Sequence, residues 1–161
     1  MNDFLIAGNS VNNINTLKAI FNNKFKISDL GVCHFYFDME MIWNRLRRQL
    51  KLFQIAYLEK VLRDHGMKNY NGIITFMETS SRLMPAEPEY FANIIFHQKY
   101  QSVIGFLIYT ILSIWLNFAF VISVISRFFS NPTQAHMAVM KRIFKYLKKT
   151  LYMGLVFRGF L

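Results

Sequence analysis

Carboxylates are scarce in this sequence, and where they stand limits the chemistry it can do. Nine Asp and Glu occur among 161 residues, and all nine lie within residues 1–89. Asn2-Asp3 comes first, directly ahead of the apolar run Phe4-Leu5-Ile6-Ala7. A single carboxylate beside an amide is too little for acid–base or metal chemistry, which needs several oxygens converging on one point. Asp38 and Glu40 form the other pair of interest. Two residues apart on a strand, they would share a face and could bind a cation; the plainer reading is a solvated strand edge. His34, His65, His97 and His136 are widely spaced, with no two at i, i+3 or i, i+4, so each reads as a core or surface histidine. Cys33 is the only cysteine, which excludes an internal disulfide and a cysteine-based zinc site.

The basic residues are placed just as unevenly. Formal charge is +10, and residues 90–161 hold eight Lys and Arg with no carboxylate. That asymmetry points to an anionic partner, either nucleic acid or a lipid surface. Lys141, Arg142, Lys145, Lys148 and Lys149 concentrate it on one stretch.

The elements that must position these groups follow from periodicity and punctuation. Residues 3–8 read as a short buried strand closed by Gly8. Ser10 or Asn12 can cap a following helix whose apolar face is Ile14, Leu17, Ile20 and Phe21. Asp29-Leu30-Gly31 is a turn. Residues 33–41 and about 48–53 read as two strands joined around Asn44, although Trp43 to Arg48 could equally be helical. A second helix, about 55–65, sets Ile55, Leu58, Val61 and Leu62 on one side and stops at Gly66. Residues 67–98, with Pro85 and Pro88, read as a long loop or strap. Asn131-Pro132 opens the clearest helix, with Asn as N-cap and Pro at the first helical position. Its apolar face is Met140, Ile143, Phe144, Leu147 and Leu151, and its basic residues line another face. A strand over 152–157 follows. The N-terminus has no basic run ahead of its apolar segment, so it does not read as a secretory signal.

Residues 103–125 carry no charge across 23 positions. As one helix they would rise roughly 34 Å, enough to cross a hydrocarbon core of about 30 Å. Glu87 and Glu89 precede the run while Arg127, Lys141 and Arg142 follow it, so a span would leave the C-terminus in the cytoplasm. Thr110, Ser113, Asn117 and Ser123 interrupt it, and Trp115 sits in its middle. The other reading is a pair of buried helices broken near Ser113 to Asn117.

The order of motifs says more than any one of them. FLIAGNS (4–10), DLG (29–31), YLEKVLRDHGM (57–67), YQSVIGFLIY (100–109), SRFFSNP (126–132) and KRIFKYLKKT (141–150) succeed one another without a large gap. This succession, over about residues 2–157, resembles the C-terminal half of the reverse transcriptase domain of copia-type LTR retrotransposon Pol polyproteins. In that family a Tyr-x-Asp-Asp turn leads into the FLIAG strand, and its two aspartates, with a third from earlier in the domain, hold two magnesium ions. The resemblance matches Asp3 to the second aspartate of that turn and puts Asn2 in place of the first. It implies ancestry in an RNA-directed DNA polymerase and a chain that is inactive as it stands, because an amide cannot replace a carboxylate between two dications. Other departures from the family pattern are Asp38 where a glycine is usual, Gly72 and Phe76 at two usual prolines, and Trp115-Leu116-Asn117 in place of an Arg-Pro-Asp break. The last change would create the uncharged run from a template that had none.

The expected architecture is α+β. A polymerase palm remnant (a short strand, a helix and a β-hairpin, residues 1–66) leads through the strap 67–98 to a mainly helical thumb- or connection-like part, 99–158, all within one truncated domain. Magnesium belongs to the parent family, and no cofactor is expected here. The resemblance implies weak, non-specific nucleic-acid contact through the basic helix, where Tyr146 and Tyr152 are near enough to stack on a base but read better as core. An alternative is a small membrane protein anchored by 103–125, its basic helix lying on anionic lipid. A third reading supplies the missing half of a working enzyme from another chain or from upstream. Location follows the choice: cytoplasm or nucleus if soluble, membrane if 103–125 spans. The apolar surfaces of 4–7 and 103–125 are expected to lack partners.

Overall fold

The computed structural model describes residues 3–75, 83–115 and 118–159. Ser10 begins the first helix: its backbone is extended, and its hydroxyl accepts a hydrogen bond from the Asn13 N–H at 3.4 Å. Helix α1 runs Val11–Lys24 and buries none of its residues. Leu17 and Ile20 of its anticipated apolar face stay exposed, while Phe21 stacks on Phe4 at 5.7 Å. Residues 3–8 are not a strand. A strand needs a neighbour for its backbone N–H and C=O groups, and no described strand pairs with this segment. Phe4 and Leu5 are exposed as a result.

The turn at Asp29 forms as its sequence dictates. The Gly31 N–H donates to Asp29 Oδ1 at 2.9 Å, and Gly31 takes φ 77°, where a glycine carries no steric cost. Lys18 Nζ meets Asp29 Oδ2 at 2.8 Å. These bonds, the one from Lys18 first, hold the Asp29 carboxyl below its ordinary value.

Four antiparallel strands follow in the order β1 (Phe35–Tyr36), β2 (Met39–Asn44), β3 (Gln49–Phe53) and β4 (Leu155–Arg158). The expected strand 33–41 is broken in two by a tight turn at Phe37-Asp38, with φ 48° and 57°. Positive φ at both central residues is the twist-matched geometry of a two-residue hairpin. Asp38 is therefore a turn residue, not a strand partner of Glu40. The β2–β3 turn is closed by Asn44, whose Oδ1 accepts from the Arg47 N–H at 3.0 Å, and the helical alternative for 43–48 is not adopted. Strand β4 returns from the far end of the chain to pair Val156 with Lys51 and Leu155 with Leu52. Gly154 admits it, since a side chain there would collide with the Leu52 carbonyl and the Phe53 ring.

Helix α2 (Ile55–Asp64) buries Leu58, Val61 and Leu62. It ends as read, at Gly66 with φ 68°. The Gly66 N–H donates to the Arg63 carbonyl at 3.0 Å and the Met67 N–H to the Leu62 carbonyl at 2.7 Å, the paired bonds of a Schellman stop.

The uncharged run divides into α3 (Ile94–Ser113) and α4 (Ala119–Ser126). Among the described residues no helix is long and apolar enough to cross a membrane, so the single-span reading of 103–125 is corrected. Helix α3 ends at Ser113 and α4 begins at Ala119, either side of the expected break, of which residues 116 and 117 lie outside the described residues. The physical reason is packing: Val103, Ile104 and Leu107 of α3 are buried together with Val121, Ile122 and Ile125 of α4 in one core. Each such burial stabilises by roughly 1.5–3 kcal/mol. Tyr100, fully buried, donates its hydroxyl to the Ile125 carbonyl at 2.7 Å and ties the start of one helix to the end of the other. The expectation that this run lacks partners is corrected with it. Helix α3 begins at Ile94, capped by Asn93, so the last part of 67–98 is helical and not loop.

Helix α5 runs Gln134–Lys149. Its N-cap is Thr133, two residues beyond the Asn131 expected from sequence. His136 decides this: its Nδ1 accepts from the Thr133 N–H at 2.9 Å, as a capping-box side chain does. Asn131 is engaged elsewhere, accepting from the Ala92 N–H at 3.0 Å and donating to the Tyr90 carbonyl at 2.7 Å.

Candidate functional site

The basic stripe of α5 exists because the opposite face is buried. Met140, Ile143, Phe144 and Leu147 enter the core, as their spacing predicts, with Leu151 just beyond the helix end. The intervening positions, Lys141, Arg142, Lys145, Lys148 and Lys149, are turned outward. Lys141 and Lys149 are exposed, whereas Arg142, Lys145 and Lys148 are half-buried. None of the four lysines forms an ion pair among the described residues.

What half-buries three of them is the segment 67–75, the first part of the predicted strap. Lys148 Nζ donates to the Lys68 carbonyl. Lys145 Nζ lies 5.4 Å from the centre of the Tyr70 ring, within cation–π range. The Ile73 N–H donates to the Lys145 carbonyl at 3.2 Å, and Arg142 Nη2 donates to Thr75 Oγ1 at 2.8 Å. Gly72 presses directly on Lys149: a side chain at 72 would sit 2.8 Å from its Cβ and 2.9 Å from its Cα. Strap and helix therefore form one surface. Reading the sequence singled out the lysines and missed Lys68 and Tyr70. The signal available was a lysine, a tyrosine and a glycine within five residues of a segment assigned only as loop.

The N-terminal candidate looks different. Asp3 is exposed on an irregular segment, and Asn2 lies outside the described residues. Among the described residues no three His, Cys, Asp or Glu side chains converge to hold a metal ion. Two dications need several carboxylate oxygens at one point. Asp3 alone does not fit them.

His136 and His65 pack into the interior, whereas His34 is exposed and His97 half-buried. His136 is fully buried, stacked on Phe128 at 3.8 Å, with Nε2 3.1 Å from the Met84 carbonyl. Burial lowers its proton affinity, opposed by that bond to Met84. His65 stacks on Phe144 at 5.3 Å, and burial, then the nearby Lys99, lowers its proton affinity too. Tyr146 packs edge-on against Phe118 at 5.0 Å, as a core residue should. Tyr152 departs from the core reading and stands 73 % exposed.

Comparison with known proteins shows what the chain is similar to. Residues 1–79 match the family described as reverse transcriptase (RNA-dependent DNA polymerase). Over 99 % of its length the chain is 31 % identical to a retrovirus-related Pol polyprotein from transposon TNT 1-94 of Nicotiana tabacum, of which it spans 12 %. It is also 23 % identical, over 96 % of its length, to an uncharacterized mitochondrial protein of Arabidopsis thaliana, of which it spans 62 %. No solved structure matches the chain. The reverse transcriptase match thus covers residues 1–79, and similarity to a retrovirus-related Pol polyprotein, of which the chain spans about an eighth, runs along nearly all of the chain.

Proposed function

We propose that this chain is a degenerate reverse transcriptase segment of retrotransposon Pol type, inactive in polymerisation as it stands, which makes weak, non-specific contact with nucleic acid through α5. The observation that carries the reading is Pol homology over 99 % of the chain combined with Asn2 beside Asp3 where the resemblance requires two carboxylates. On this reading α1 and the β1–β3 hairpins descend from the palm, and the helices α3 to α5 correspond to a thumb-like part near the template–primer. Lysines there neutralise phosphate without reading sequence. Supporting this are the lysines of α5, which form no ion pair among the described residues, two of them exposed.

Magnesium-dependent primer extension by the 161-residue chain tests the catalytic half of the proposal. Incorporation at background is expected, and incorporation above it overturns the reading. Asn2→Asp is expected to leave activity at background, because two adjacent carboxylates without a third converging group do not hold two dications.

A further inference from the structure

We infer that the strap presents Tyr70 as a base-stacking platform beside the lysines of α5, so that this face takes single-stranded nucleic acid in preference to duplex. The inference rests on the reading of α5 as a phosphate-contacting surface and adds to it the class of nucleic acid.

Two features of the strap carry it. Tyr70 is 46 % exposed although its segment is fastened at several points, so a large ring is offered to solvent by a backbone that is not free to withdraw it. The fastening is the set already described: Lys148 to the Lys68 carbonyl, the Ile73 N–H to the Lys145 carbonyl, Arg142 to Thr75, and Gly72 against the backbone of Lys149. A platform held in place before binding loses little freedom when a ligand arrives.

The second feature is the charge beside the ring. Lys145 Nζ sits over Tyr70 and has three donors, so contact with the ring leaves N–H groups able to reach a phosphate. Lys141 and Lys149 stand exposed on the same helix. A backbone tracked by lysines, with an aromatic ring beside it, is the pattern that binds unpaired strands. A duplex keeps its bases stacked inward and gains nothing from the ring. It meets only the lysines.

The test uses the full chain and a fluorescein-labelled oligothymidylate, compared with a mixed-sequence duplex of equal length, in fluorescence anisotropy at low salt. Tyr70→Ala is expected to weaken single-strand binding roughly fivefold to a hundredfold, the usual worth of one base–aromatic stack, and to leave duplex binding unchanged. Tyr70→Phe, which keeps the ring, is expected to retain single-strand affinity, and circular dichroism confirms that each variant stays folded. Equal loss for both nucleic acids on Tyr70→Ala, or no loss for either, overturns the inference. If Lys141→Ala/Lys149→Ala weakens both ligands while Tyr70→Ala weakens neither, the phosphate-contact reading stands and the stacking platform falls. If the wild-type chain binds neither oligonucleotide, both fall.

Discussion

The Lys145 ammonium lies 5.4 Å from the centre of the Tyr70 ring, and that contact joins two segments that the sequence keeps 75 positions apart. It turns a stripe of helix lysines into one side of a two-part surface. The other side is a strap whose backbone is held by the helix it crosses. Charge alone made α5 a candidate. The strap decides which of its charges face solvent, and it leaves Lys141 and Lys149 outermost.

Gly72 is the position on which that arrangement depends most. A Cβ there would meet Lys149 at Cβ, Cα and N, at 2.8, 2.9 and 3.0 Å, and backbone atoms cannot rotate away as a side-chain tip can. Gly72→Ala is expected to destabilise by about 1–3 kcal/mol, the usual cost of overpacking, and to increase proteolytic nicking of 67–75. Urea unfolding with limited proteolysis checks this. A variant of unchanged stability and unchanged nicking would show that the strap does not bear on the helix.

Acid should weaken the fold through His136. Its Nδ1 accepts from the Thr133 N–H, which the neutral ring can do and the imidazolium cannot. Burial holds the folded value below the ordinary 6.5, and His65 is displaced in the same direction. Between the folded value and that of the unfolded chain, the unfolded chain binds more protons. Stability is therefore full above about pH 6.5 and declines as pH falls towards the folded value. His136→Gln keeps an acceptor for the cap without a titrating ring, and should flatten this decline in thermal melts between about pH 7 and about pH 5. An identical decline in the variant would contradict the assignment.

Gln54 is buried at the start of α2, and neither of its amide atoms has a hydrogen-bond partner among the described residues. An unsatisfied buried amide costs about 1–3 kcal/mol, and an apolar replacement of similar shape removes that cost. Gln54→Met is expected to raise the midpoint of urea unfolding without changing its slope. A lowered midpoint would mean that the amide is satisfied in solution, for example by water.

Asp38 occupies a turn position with φ 57°. Left-handed backbone costs most L-residues roughly 1–2 kcal/mol, less for Asp. Asp38→Gly is expected to stabilise by about 0.5–1 kcal/mol in thermal or urea unfolding. The Tyr109 hydroxyl keeps its bond to the Phe37 carbonyl at 2.8 Å; its proton affinity is raised first by burial and then by the Asp38 charge and bond, so the substitution should relax it only in part. Destabilisation would indicate that the 3.4 Å contact from Tyr109 to Asp38 matters more than the turn geometry.

Local signals in the sequence were legible where the residues themselves fix the outcome. Ser10 caps α1, Gly66 stops α2, and Met140, Ile143, Phe144 and Leu147 enter the core at helical spacing. What failed depended on distant partners. Residues 4–7 have the composition of a buried strand, but a strand exists only where another lies beside it. The pairing of β4 with β3 joins residues about a hundred positions apart, which no local period encodes. The N-cap of α5 moved from Asn131 to Thr133 because Asn131 binds Ala92 and Tyr90, and His136 reaches back to the cap. The membrane-like look of 103–125 arose because hydropathy cannot tell a lipid-facing helix from two helices that bury each other. At the candidate site, the lysines were visible as a charge pattern. Tyr70 was not, because its role comes from a tertiary contact.

The most direct test of the account is the salt dependence of oligothymidylate binding, measured by anisotropy for the wild-type chain and for Lys141→Ala/Lys149→Ala. For the wild type, log affinity should fall linearly with log salt, and the double variant should bind more weakly with a slope shallower by about 1.4, two single-strand phosphate contacts at roughly 0.7 each. No measurable wild-type binding at low salt, or a slope that the two substitutions leave unchanged, would contradict it.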